Sequence, residues 1–244
     1  MEHWLRRLLV RWQLRQKNDR TTKVLLTFFL TVILIGTVLM ALPVSSRSGE
    51  SCGLMTALFT ATSATCVTGL STVDTFSQWS PFGQVVLLSL VQVGGLGYMT
   101  IISVFYFMLR RKIGLRDRLI LQQTMALNEL DGTAHLLKLV VCGTLLMEGA
   151  GTLVLFLRFS LQMSIGQALW YGVFHAVTAY CNAGFDLMGS IQPGSSLTAY
   201  AGDVVVNVMV MLLIVVGGLG FFVWNDLLIH RLRWRYLTRS EEHT

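Results

Sequence analysis

Residues 61–70, Ala61-Thr62-Ser63-Ala64-Thr65-Cys66-Val67-Thr68-Gly69-Leu70, decide the fold, because their design returns further along the chain. A shift of 115 positions aligns Phe59 with Phe174, Ala61 with Ala176, Ala64 with Ala179, Cys66 with Cys181 and Gly69 with Gly184. Downstream of each copy stands a second shared string, Gly94-Gly95-Leu96-Gly97 and Gly217-Gly218-Leu219-Gly220, now at a shift of 123. Self-similarity of this kind marks a repeat architecture. Two units of one design are present, the second with about eight more residues in its outer loop.

Apolar runs flank both copies. Residues 24–42 carry no charge in 19 positions, enough to cross a hydrocarbon core of ~30 Å at ~1.5 Å per residue. Residues 84–109, 139–157 and 204–229 are three further runs long enough to span. Composition agrees: 53% of the 244 residues are hydrophobic and 13% charged, against ~25% charged in an ordinary soluble domain. The 22 Gly against 3 Pro suit membrane helices, whose close approach depends on small residues. Residues 53–66 and 167–181, which hold the start of each repeated loop, are too short and too rich in Thr and Ala to span.

Charge placement orients the chain. The net charge of +6 sits almost wholly in three basic blocks, Arg6 to Lys23, Arg110 to Lys138 and Arg231 to Arg239, with only Arg47 and Arg158 elsewhere. Loops that alternate between cytoplasm and exterior produce such a pattern under the positive-inside rule, so an anionic membrane surface explains the charge and nucleic acid does not. If residues 53–66 crossed the membrane, Arg110 to Arg118 would lie outside. If both short segments instead enter and leave on the outer side, every basic block and both termini are cytoplasmic, and Glu50, Asp74, Asp186 and Asp203 are outside. Irregular backbone at membrane depth is tolerated only where protein or a water-filled cavity satisfies it, so such loops point to a pore. The expected architecture is an all-α, multi-pass membrane protein of two helix, re-entrant pore loop, helix repeats. Its parts are a basic N terminus (1–23), a first repeat (24–115), a cytoplasmic connector (116–138), a second repeat (139–232) and a C-terminal tail (233–244). The first apolar run is expected to be retained as a helix and not cleaved as a signal peptide. Cys52, Cys66, Cys142 and Cys181 show no CxxC spacing and indicate neither a zinc site nor a disulfide framework.

The stretch Ala61 to Leu70 resembles the first filter loop of the Ktr/Trk/HKT superfamily of cation transporters. Gln92-Val93-Gly94-Gly95-Leu96-Gly97 resembles the helix that follows it, and His175-Ala176-Val177-Thr178-Ala179-Tyr180-Cys181-Asn182-Ala183-Gly184-Phe185 resembles the second filter loop. A basic N terminus leading straight into the first repeat is closer to the membrane subunit of the Ktr branch than to the Trk branch. The resemblance implies a potassium-channel-like pore in a bacterial plasma membrane. Gly69, flanked by Val67 and Thr68, and Gly184, flanked by Asn182 and Ala183, would line its selectivity filter. Glycine permits backbone angles that a Cβ would strain, and in this family glycine at the filter goes with potassium in preference to sodium. The C-terminal ends of the short helices 53–64 and 167–178, carrying partial negative charge, would favour a cation.

What the resemblance implies beyond the filter is potassium uptake, with sodium as a candidate coupling ion and no covalent cofactor. It also implies a homodimer of membrane subunits on a cytoplasmic ring of nucleotide-binding regulatory subunits. Family members carry four units and this chain carries two, so a fragment of a longer reading frame is expected in preference to assembly from several copies. The alternative from another class is a non-conducting membrane scaffold or assembly partner. An enzyme is not expected, because no nucleophile with a base, metal cluster or phosphate loop is visible.

Other residues receive structural readings. The GGLG strings are expected to pack against the filter scaffold. Glu148, Asn207 and Asp226 are expected to make hydrogen bonds to neighbouring helices and not to relay ions, and His175 to be a scaffold residue with a hydrogen-bonded ring. Residues 119–137 mix apolar and polar positions and are expected to form an amphipathic connector.

Overall fold

The computed structural model describes residues 23–108, 133–191 and 194–219, with side chains for 23–97, 140–191 and 194–219. Among them the regular structure is helical, joined by turns and one isolated bridge between Ser46 and Trp79. Helix α1, Lys23–Ala41, fills the first apolar run. It stops where Leu42, held extended at φ −65°, ψ 141°, precedes Pro43, since a residue before proline is pushed out of the helical region. Leu26, Leu30, Leu34 and Val38 form a stripe at four-residue spacing on the exposed face of α1. Only 17% of the most apolar stretch of α1 is buried, whereas the core helix of a soluble protein hides most of its surface.

Helix α2, Leu54–Thr65, starts after Gly53 at φ 84°. A short helix α3, Thr75–Gln78, is capped by Asp74, whose side chain accepts from the Ser77 N–H. Helix α4, Pro81–Met108, begins with proline at its first position, where the missing N–H costs nothing. The second unit follows the same plan with α5, Thr133–Phe159, α6, Ile165–Tyr180, and α7, Val204–Gly218. Asp203 caps α7 by accepting from Val205 and Val206 N–H and pairs with Arg158 at the end of α5, 2.5 Å away.

Each unit is a short helix wedged against two long ones, and the wedges use equivalent residues. A Cβ on Gly36 of α1 would lie 2.8 Å from both methyls of Leu90 on α4, and one on Gly151 of α5 would lie 2.7 and 3.0 Å from those of Leu213 on α7. Gly36 and Gly151 are related by the 115 shift, Leu90 and Leu213 by the 123 shift. The repeat legible in the loops therefore extends to the long helices. Across the unit boundary α4 packs on α5 and α6. Leu87, Val91, Phe159 and Phe174 are fully buried in the core, and across the boundary the Trp170 indole N–H donates to Gln84 Oε1 at 2.7 Å.

Two spans differ from the sequence expectation. The second begins at Pro81, three residues early, and is interrupted at Gly97, which has φ 76°, ψ 156°, so a run of apolar residues does not make one straight helix. The third begins at Thr133, inside the stretch read as connector. The described part of the fourth ends at Gly218, within its glycine string. Asp226, the basic N terminus through residue 22, residues 119–132 of the connector and the C-terminal tail lie outside the described residues.

Candidate functional site

Helices α2 and α6 end alike. The Cys66 N–H donates to Thr62 O at 2.8 Å and the Cys181 N–H to Val177 O at 2.9 Å. The next residue of each loop takes a left-handed turn, Val67 at φ 56° and Asn182 at φ 59°, and its N–H donates back to Ala64 O or Ala179 O. The residue after that reaches one turn deeper: Thr68 N–H to Ser63 O at 2.9 Å, Ala183 N–H to Thr178 O at 2.7 Å. Gly69 and Gly184 then return to positive φ, at 71° and 73°. Every one of these pairs is related by the 115 shift.

The sign of φ thus alternates along 67–69 and 182–184. Glycine takes such a positive φ without the steric cost that a Cβ brings. The six residues singled out from sequence, Val67, Thr68, Gly69, Asn182, Ala183 and Gly184, all lie on these two turns. The two loops also meet. A Cβ on Gly69 would run into the Ala183 carbonyl oxygen and come within 3.3 Å of Gly184 Cα, while one on Gly184 would lie 3.7 Å from Gly69 Cα. Gly69 is thus required by backbone angle and by neighbour.

The glycine strings hold the loops from behind. A Cβ on Gly94 of α4 would collide with the Thr65 carbonyl oxygen, and one on Gly217 of α7 with that of Tyr180, again an equivalent pair. Gly95 lies against the second loop instead, where a Cβ would come within 2.5 Å of Cys181 Sγ. Gly94, Gly95 and Gly217 thus pack against the loop scaffold, as expected of their strings, while Gly97 faces open space.

Side-chain bonds add to this. Ser63 Oγ and Thr68 Oγ1 lie 2.9 Å apart, tying the first loop to its own helix. His175 is buried, with Nδ1 2.7 Å from Tyr171 O and Nε2 accepting from the Leu187 N–H at 3.3 Å. An accepting Nε2 leaves the proton on Nδ1, so His175 is a neutral strut between α6 and the end of its loop. Glu148, buried in α5, accepts from Gln92 Nε2 at 2.9 Å, the interhelical bond expected of it. Asn207 departs from its expectation: its amide donates to Tyr200 O, Ala201 O and Asp203 O, fixing the turn before α7 and not a neighbouring helix. Gln92 and Asp74 were missed as individual contributors. The signal for Gln92 was present, an amide in the middle of an apolar run.

The sequence has named counterparts. The family described as TrkH, cation transport protein, matches residues 6–241. The chain belongs to the TrkH family. Among the relatives of this TrkH protein, the potassium/sodium uptake protein NtpJ of Enterococcus hirae is 39% identical over 206 residues, covering 84% of this chain and 45% of NtpJ. The Ktr system potassium uptake protein B of Bacillus subtilis is 39% identical over 204 residues, 84% of this chain and 44% of the relative. That of Vibrio alginolyticus is 35% identical over 213 residues, 87% and 45%. The TrkH chain described here spans less than half the length of these relatives.

Proposed function

We propose that this chain supplies two of the loops of a selectivity filter through which a Ktr-type transporter takes up potassium. The observation that carries the reading is the matched pair of alternating-φ turns meeting at Gly69 and Gly184. A cation that sheds water there would gain carbonyl oxygens in exchange, aided by the C-terminal ends of α2 and α6. The names of the relatives, potassium and potassium/sodium uptake proteins, support the substrate and keep sodium as a candidate coupling ion.

Two loops do not close a ring, and the exposure of equivalent residues supports further units beside these. Cys181 is buried under Gly95 of the neighbouring unit, whereas its counterpart Cys66 is exposed. Gly218, the counterpart of Gly95, would meet only Asn182 Nδ2 at 3.7 Å. One unit's open face matches the other's covered one. On this reading the chain lies in a bacterial plasma membrane with its basic blocks cytoplasmic. The nucleotide-binding ring implied by the resemblance would meet a homodimer of membrane subunits on that side.

The test is potassium uptake in a deficient host by the complete transporter carrying this chain. Gly69→Ser and Gly184→Ser are expected to lower potassium-over-sodium discrimination while protein reaches the membrane. Unchanged discrimination in both would remove the filter assignment. Two open faces also suit a non-conducting scaffold, for which no potassium flux would appear in liposomes whatever the oligomer.

A further inference from the structure

The repeat makes departures from symmetry visible, and the largest lies behind the second loop. Gln92 of α4 corresponds to Val215 of α7, and Glu148 of α5 to Ile33 of α1. Two positions that are apolar in one unit are an amide and a carboxyl where α4 of the first unit meets α5 of the second. There Gln92 Nε2 donates to Glu148 Oε1 at 2.9 Å, and the Cys181 S–H donates to Gln92 Oε1 at 3.8 Å. An ionised carboxylate only accepts, so Glu148 fixes which way the amide faces and leaves its oxygen toward the thiol. Glu148 and Cys181 are each 7% exposed. Next to them Thr144 Oγ1 and Tyr180 Oη lie 3.3 Å apart, and Gly95 closes over Cys181. A carboxyl group at this depth in a membrane helix is expensive, so two helices that packed only for stability would do so more cheaply with the Ile and Val found at the equivalent positions.

Cys181 is the cap of α6 and the residue from which the second loop departs: Asn182 turns left-handed immediately after it. We propose that Gln92 and Glu148 are positioning residues for the second filter loop. Glu148 orients the Gln92 amide, that amide holds Cys181, and cation discrimination at Asn182 to Gly184 depends on this chain of bonds. The inference rests on the filter reading above. It gives that reading an asymmetry: Ser63 and Thr68 tie the first loop to its own helix, while the second, strutted to its own helix by His175, is tied through Cys181 to the neighbouring unit as well.

The experiment compares potassium and sodium uptake by the complete transporter carrying Gln92→Leu, Glu148→Ala, Glu148→Gln or Cys181→Ala, with Gly184→Ser as reference and the amount in the membrane measured for each. Gln92→Leu and Glu148→Ala are expected to lower discrimination on the order of tenfold, the lower end of what loss of a group behind metal ligands costs. Glu148→Gln keeps an acceptor for Gln92 and is expected to retain most of it. The double variant Gln92→Leu with Glu148→Ala is expected to be no worse than the poorer single, because both act through one bond chain. If the larger changes keep protein from the membrane, Cys181→Ala, which removes the thiol alone, is expected to shift discrimination in the same direction. The proposal is overturned if Gly184→Ser alters discrimination while these variants only scale uptake with the protein present. It is also overturned if Gly184→Ser has no effect, and the filter assignment falls with it if Gly69→Ser has none either.

Discussion

Val67 and Asn182 occupy the same left-handed turn with side chains of opposite suitability. Asparagine visits this region readily, whereas a β-branched residue does so against steric cost. Val67 is held there by the two backbone bonds that close α2. Asn182→Val, at an exposed position, is therefore expected to destabilise the protein by about 1–2 kcal/mol, measured as a lowered midpoint of thermal unfolding in detergent. An unchanged midpoint would mean the turn is not retained outside the folded pair of loops. At this scale sequence went far with Gly69 and Gly184, since glycine advertises positive φ. It placed Val67 at the filter by resemblance but was silent on its backbone, because nothing in a valine calls for a left-handed turn and only the closing of the helix imposes it.

The elements are held by close backbone approach and by few side-chain bonds. Gly217 and Gly218 make a controlled comparison within one helix. A methyl group on Gly217 meets the Tyr180 carbonyl, while one on Gly218 has room. Gly217→Ala is expected to cost about 1–3 kcal/mol, as overpacking does, and Gly218→Ala close to nothing, when this chain is unfolded in detergent by itself. In the complete transporter Gly218→Ala should become as damaging to assembly as Gly95→Ala, if a further unit lies on that face. Continued tolerance there would argue against the closed ring. The sequence showed that the glycine strings pack against something. It did not show that α4 breaks at Gly97, because residues on both sides are apolar and hydropathy does not register a single reversed φ.

At the scale of the whole molecule, Asp74 joins the two units away from the glycine loops. Its carboxylate accepts from the Ser77 N–H at 2.7 Å and hydroxyl at 2.8 Å, and from the Gly194 N–H of the second unit at 3.2 Å. Gly189 lies against the same group, with no room for a Cβ. Burial alone would push the Asp74 carboxyl up, but the bonds from Ser77, Gly194 and Phe76 together outweigh it and hold the group below its ordinary value. A lowered value in the folded state means stability that is fully present above the unfolded carboxyl pKa of ~3.9 and is lost as pH falls through the folded value. Wild type is thus expected to melt higher than Asp74→Asn at neutral pH, with the gap closing as the pH falls below ~4. A gap independent of pH would show that the carboxylate charge is not what joins the units.

Much of this was legible from order alone. The two units, their four long helices and the glycines of both loops follow from hydropathy, from charge alternation and from a repeat that spacing exposes, because each reflects a demand made residue by residue by membrane or backbone. What tertiary structure decided is contact between residues far apart in sequence: Gly69 against Ala183, Gly95 over Cys181, Gln92 between Glu148 and Cys181, and Asp74 reaching Gly194. Packing across the unit boundary joins helices that no periodicity relates, so which polar groups become partners there is fixed only when the two units fold against each other.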